Sequence, residues 1–169
     1  MRVLPKLEAK ALLRAEVKRL PAELKGCLPC ALARKVVAPE LLVRENDVAI
    51  CTLEKYAARM GHLVVVPKQH VEKMCDSPWS LYRDMQFLVW EAAVTLEKLF
   101  SPERVYTAQL GSPRPRSTAF SHVCVNVVPI YETDERSRAS HVFSWTRSVS
   151  VYDPIEALSL AEKIRASWI

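Results

Sequence analysis

The sequence has few glycines, three in 169 residues, and no low-complexity tract or internal repeat. Those absences rule out a repeat array and leave one compact domain with terminal helices as the simplest partition. No apolar run approaches the roughly 20 residues of a membrane span, which excludes a spanning helix. The N-terminus sets Leu4, Leu7, Leu12 and Leu13 among Lys6, Lys10, Arg14 and Lys18. It therefore lacks the continuous apolar segment and small-residue cleavage site of a secretory signal, and a cytoplasmic protein is expected. The formal charge of +5 is spread along the chain, apart from Arg114 and Arg116 in one loop and Arg136 and Arg138 in another. Nucleic-acid binders concentrate basic charge in a stripe with aromatics between, so this pattern argues against a nucleic-acid partner and for a small anionic ligand. Five cysteines are an odd number in a chain without an export signal, so metal or thiol chemistry is a better expectation than a disulfide framework.

What is present fits a soluble domain. Half the residues are hydrophobic and a quarter charged, and a chain of this length buries roughly 70% of the surface its unfolded form exposes. Residues 6 to 20 carry apolar side chains at helical spacing up to Pro21, which predicts an amphipathic helix. A short helical piece follows Cys27-Leu-Pro-Cys30. Leu41 to Arg44 and Asp47 to Thr52 read as a hairpin turning at Glu45-Asn46-Asp47. His62 to Pro67 reads as a central strand.

Ser77 before Pro78 has the form of an N-cap, and apolar residues from Leu81 through Leu99 predict the longest helix, with Trp79, Phe87 and Trp90 on its core face. Arg104 to Leu110 and His122 to Pro129 supply further strands, and Asp153-Pro154-Ile155-Glu156 opens a helix to about Ser167. Strands in meander order with segregated helices make the fold class α+β, an antiparallel sheet of about five strands with packed helices and N- and C-terminal helices.

The segment His122-Val-Cys-Val-Asn-Val-Val alternates in chemistry. Period two sends Val123, Val125 and Val127 to one face and His122, Cys124 and Asn126 to the other. Cys27 and Cys30 have the spacing that lets two sulfurs reach one ion from a tight turn, or that forms a redox pair, or that leaves two ordinary thiols. His70 follows one strand and His122 opens another, so two cysteines and two histidines are available for a tetrahedral zinc site. His62 reads as a satisfied structural histidine, Cys51 and Cys75 as buried thiols, and nothing ties His141 to the site.

The order of these pieces resembles the histidine triad (HIT) superfamily, including its branch with the galactose-1-phosphate uridylyltransferases. The resemblance covers roughly residues 26 to 130. It rests on the CxxC, the Asp-x-Ala-Ile-Cys strand, Gly61-His62, the Val-Val-Val-Pro-Lys-Gln-His run ending at His70, Ser117-Thr118, and the strand matching an HφHφHφφ motif. It implies a single HIT-like domain over 1–169, with the core at about 26–130, an N-terminal helix in 1–25 and a C-terminal extension with a helix in 131–169. It implies Cys27, Cys30, His70 and His122 as ligands of a zinc cofactor, and four protein ligands leave no open position, which favours a structural ion. It implies a small anionic or nucleotide-like ligand and a homodimer.

The departure from the motif bears on chemistry. The family's nucleophilic middle histidine is Cys124 here, and its third histidine is Asn126, a position where the uridylyltransferase branch uses glutamine. A cysteine needs its pKa lowered before it attacks at neutral pH, so the family's ordinary nucleotidyl transfer is in doubt. Three fates for Cys124 stay open: a thiolate nucleophile, an entrant into the zinc shell that opens a position for water or substrate, and an inert filler. Glu54 stands where relatives hold ribose hydroxyls with aspartate, with a plain surface glutamate as the alternative. Ser112, Arg114, Arg116, Ser117 and Thr118 lie in the loop that cradles phosphate in relatives, where paired guanidinium groups suit a phosphate or carboxylate.

Three functions follow as expectations. The leading one is a divergent transferase, hydrolase or lyase-type enzyme acting on a small anionic or nucleotide-like molecule, in the setting of specialised biosynthesis. The others are a noncatalytic nucleotide-binding pseudoenzyme, and a nucleotide hydrolase or transferase using Cys124 as nucleophile.

Overall fold

The computed structural model describes residues 1–109, 121–133, 137–145 and 149–169. Its centre is a five-stranded antiparallel sheet in the order β2-β3-β5-β7-β6. The strands are β2 (Leu42–Glu45), β3 (Ala49–Leu53), β5 (Leu63–Pro67), β6 (Arg104–Gln109) and β7 (Val125–Ile130). The hairpin between β2 and β3 forms because Asn46 Oδ1 accepts the backbone N–H groups of Val48 and Ala49, the local bonding that makes asparagine a turn residue.

Strand alternation divides the molecule into two layers. On one face Ala49, Cys51 and Leu53 of β3, Leu63 and Val65 of β5, and Val123, Val125 and Val127 join the main core with two helices, α3 (Trp79–Phe100) and α5 (Pro154–Ala166). On the other face Ile50, Val64 and Val66 pack with Leu32, Ala33 and Cys124. The first two of those partners lie in or beside the short helix α2 (Leu28–Ala33). The predicted alternation of 122 to 128 is therefore present, although the ladder itself starts only at Val125.

The predicted α+β class and the sheet of five strands are present, but the expected meander order is not: β7 lies between β5 and β6. A second, three-stranded sheet in the order β1-β8-β4 adds β1 (Arg2–Leu4), β4 (Tyr56–Ala57) and β8 (Val149–Val151). It joins the two ends of the chain beside α1 (Lys6–Lys18), and a further short helix, α4 (Ala139–Ser144), precedes β8. At α5, Asp153 Oδ1 accepts the Ile155 N–H while Glu156 accepts the Asp153 N–H, completing the expected capping box.

Three local expectations are corrected. Ser77 does not cap α3; Pro78 is the capping residue and no side chain makes the bond. Trp79, Phe87 and Trp90 are 72%, 58% and 55% exposed. The stripe of Leu81, Met85, Leu88, Val89, Ala92 and Leu96 occupies the opposite side of the helix and is the one that is buried. Cys75 is exposed, whereas Cys51 is buried as expected. Among the described residues no helix is long and apolar enough to cross a membrane.

Candidate metal centre and adjoining cleft

The turn into α2 is built for close approach of two sulfurs. Lys25 and Gly26 both adopt left-handed backbone, at φ 48° and 72°, and the glycine takes this without a Cβ penalty. The chain then doubles back into α2, placing Cys27 at its N-cap and Cys30 one turn on. His70 follows β5, and His122 lies in the extended segment before β7, where the Val123 N–H donates to the Val71 carbonyl.

The ligand atoms of Cys27, Cys30, His70 and His122 all lie within 4.8 Å of one another. Cys27 Sγ is 3.6 Å from His70 Nδ1 and 3.3 Å from His122 Nδ1. Cys30 Sγ is 3.2 Å and 3.4 Å from the same two nitrogens. With zinc–sulfur and zinc–nitrogen bonds of about 2.3 and 2.0 Å, the sulfur–nitrogen edge of a tetrahedron is about 3.5 Å, so the four distances have the size of one coordination shell.

The donor chemistry agrees. Burial, and then the neighbouring Cys27 thiol, push the Cys30 thiol up to about 12, which disfavours thiolates unless a cation shares the site. Burial first, and the adjacent His70 second, lower His122 to about 4 and keep its imidazole neutral as a ligand requires. The Pro67 and Gln69 carbonyls act on the ring in the opposite sense as near neighbours, and among the described residues the buried His122 Nε2 meets no partner in hydrogen-bond geometry. Glu72 Oε1 lies 3.7 Å from His70 Nε2, leaving Nδ1 to face the sulfurs, the outer-shell arrangement common around metal-binding imidazoles.

On the α2 side of the sheet, the next polar residues along the strand face a cleft of about 110 Å³. Cys124, Asn126 and His62 line it together with Glu54, Val64 and Val66, and Leu28, Pro29 and Leu32 of α2 form one wall. Aromatic lining comes from the second sheet and α4: Tyr56 on β4 and Trp145 after α4 have ring centroids 6.2 Å apart, and Phe143 of α4 lines the same cleft.

His62 proves structural, as expected, and also belongs to the cleft. Its Nδ1 accepts the Ala58 N–H at 3.2 Å, so the proton sits on Nε2, which donates to Asn126 Oδ1 at 3.0 Å. Asn126 Nδ2 donates in turn to the Ala108 carbonyl at 3.3 Å. Burial lowers His62 to about 4 and its bond to Asn126 opposes the shift, so the ring is neutral at physiological pH.

Glu54 Oε1 accepts the Tyr56 N–H at 3.0 Å. Part of its side chain still reaches solvent, but the carboxyl itself is enclosed, and that burial raises it to about 7. The raising effect of Glu16 and the lowering effects of the Tyr56 N–H and Lys55 are secondary.

The predicted residues thus separate. Cys27, Cys30, His70 and His122 converge; Cys124, Asn126 and Glu54 line the neighbouring cleft, with Cys124 outside the four-residue group. Ser112, Arg114, Arg116, Ser117 and Thr118 lie outside the described residues. The aromatic wall of Tyr56, Phe143 and Trp145 and the His62 bond to Asn126 were not foreseen. The β5–β7 register, Val64 opposite Asn126, is the signal that aligns His62 with Asn126 on one face.

Comparison with solved structures defines the class of fold. A HIT-like protein from Bartonella henselae described as involved in cell-cycle regulation superposes with a TM-score of 0.66 at 20% identity, over 83% of this chain and 95% of that one. A zinc-bound histidine triad family protein from Mycobacterium smegmatis gives 0.63 at 20% identity, over 83% and 91%. A hypothetical histidine triad nucleotide-binding protein from Sulfolobus tokodaii gives 0.65 at 17% identity, over 83% and 91%. No family model matches the sequence, and no curated protein matches it. The chain has the histidine triad fold.

Proposed function

We propose that this chain is a zinc-binding protein of histidine triad type, forming a single domain, and that it is a divergent enzyme acting on a small anionic or nucleotide-like molecule without the usual nucleophilic histidine. The observation that carries the reading is the split of one segment: His122 meets Cys27, Cys30 and His70, and Cys124 and Asn126 look into the adjoining cleft. The zinc-bound and nucleotide-binding neighbours of the same fold support both halves.

In this reading the four ligands hold zinc as a closed structural ion, which pins α2 against the sheet. Zinc supplies charge that keeps two thiolates and two neutral imidazoles together. The chain's own residues do the rest. Leu28, Pro29 and Leu32 form an apolar wall, His62 orients the Asn126 amide, and Cys124 presents sulfur to a bound electrophile. A specialised biosynthetic setting and a cytoplasmic location belong to the same proposal; the latter is supported by five free cysteines. So does a homodimer, for which the outward Trp79, Phe87 and Trp90 on α3 are the available apolar surface and light scattering is the test.

A noncatalytic nucleotide-binding role is favoured by one specific observation. Asn126 is engaged with His62 and Ala108, so much of the polar row bonds within the protein. The experiment that separates the readings measures AMP binding and turnover of a nucleotide phosphoramidate panel by wild type, Cys124→Ala and Cys124→Ser. Turnover lost in both variants with zinc retained identifies Cys124 as nucleophile, and turnover retained in both removes it from that role. AMP binding with no product in wild type establishes the pseudoenzyme. Recovery of hydrolysis by Cys124→His with Asn126→His shows that the pocket remains a nucleotide pocket.

A further inference from the structure

The Glu54 carboxyl lies where two cavities meet. One is the cleft beneath Cys124; the other is a groove of about 630 Å³ running beside α1 and α2. Leu28, Leu32, Tyr56 and Val64 line both. Among the described residues Glu54 is the sole carboxyl of the cleft, no lysine or arginine lines it, and none of them forms an ion pair with Glu54.

Among the described residues the surrounding charges do not compensate Glu54. Lys55 Nζ lies 2.6 Å from Glu16 Oε1, and that oxygen also accepts the Tyr56 hydroxyl at 2.9 Å. Glu16, from α1, acts on Glu54 as a like charge. Arg19 lines the far groove and is exposed. His62 is neutral, and the phenols of Tyr56 and Tyr152 and the Cys124 thiol carry no positive charge. Among the described residues the carboxyl accepts one hydrogen bond, from the Tyr56 N–H, which leaves acceptor capacity at the junction. Aromatic rings of Tyr56, Phe143 and Trp145 line the same cleft.

We propose that this cleft takes a ligand bearing a protonated amine on an apolar body, the ammonium bonded to Glu54 and the body lying against Tyr56, Phe143 and Trp145. Aromatic faces and an enclosed carboxylate both attract an organic cation. A neutral hydroxyl, the group expected at this position from the family resemblance, would not offset the charge that the carboxyl carries above about pH 7. The inference rests on the cleft being the ligand site and deepens that reading by naming a cationic end to the ligand. The raised Glu54 pKa agrees with an acid that lacks a cation. An amine that binds the ionised form displaces a proton from Glu54 below about pH 7 and binds more tightly as pH rises through that value.

The test is calorimetric titration of the zinc-loaded full chain with phenethylamine and with its neutral counterpart 2-phenylethanol, at pH 8 and pH 5.5, alongside Glu54→Gln. At pH 8 the amine should bind about tenfold more tightly than the alcohol, the range of one charge-assisted hydrogen bond. The preference should disappear in Glu54→Gln and shrink at pH 5.5, with proton release seen in buffers of different ionisation heat. Equal affinity for amine and alcohol, an amine preference that survives Glu54→Gln, or no amine binding to wild type each overturns the proposal. AMP is titrated in parallel. AMP binding without amine preference refutes the cationic site alone; absence of both refutes the ligand cleft as well.

Discussion

His122 and Cys124 are two residues apart in one extended segment, yet their surroundings are opposites. His122 is fully buried, its Nδ1 within 3.4 Å of two cysteine sulfurs. Cys124 is half-buried at a cleft whose nearest amide, Asn126, bonds to His62. The first site satisfies the geometry of a tetrahedral ion with four donors of the right type. The second presents a thiol, an amide and the neutral His62, and among the described residues Glu54 is its one carboxyl, raised by burial to about 7. A metal shell tolerates little variation in donor or distance, whereas a cleft keeps its shape through its walls while its polar row changes. Two residues of one short segment before and at the edge of β7 thus serve a closed shell and an open cleft of different chemistry.

The comparison breaks most severely at the metal centre. Cys30→Ser should lose the metal and destabilise the chain by about 4 kcal/mol, since metal-binding free energy is folding free energy. Elemental analysis and denaturant unfolding check both parts. Asn126→Ala should leave metal content unchanged and cost about 2 kcal/mol, because it strands the buried Nε2–H of His62 without its acceptor. A metal loss in this variant would show that the two sites are not separable.

Glu54→Gln sharpens the comparison through pH. The folded value of Glu54 is raised to about 7 from an ordinary 4.5, so the folded state binds the proton more tightly. The stability linked to that proton is complete below 4.5 and is lost as pH rises through 7. The glutamine variant does not titrate. It should therefore gain about 3 kcal/mol over wild type at pH 8 relative to their difference at pH 4.5, read from unfolding midpoints across pH. The smallest effect is expected at Cys124→Ala, within about 0.5 kcal/mol of wild type and with full metal content.

Legibility followed the range of the interactions. The capping box at Asp153 and the turn at Asn46 are local bonds, readable from neighbouring residues. The CxxC and the two histidines were readable because few side chains serve zinc and the resemblance supplied their register. The sheet β1-β8-β4 was not, because strands of two or three residues show no period. On α3 two apolar stripes compete, and the sequence carries no mark that the one with Leu88 and Leu96 faces the sheet while Trp79, Phe87 and Trp90 face out. The bond from His62 to Asn126 depends on the β5–β7 register, and the Tyr56–Trp145 wall depends on β4 pairing with the distant β8. Neither is a local property.

The central claim is that Cys27, Cys30, His70 and His122 form a complete shell from which Cys124 stands apart. X-ray absorption at the zinc edge of the purified chain tests it most directly. One zinc per chain is expected, surrounded by two sulfur and two nitrogen scatterers at about 2.3 and 2.0 Å and unchanged in Cys124→Ala. A third sulfur that disappears in that variant, or a chain that holds no zinc, would contradict it.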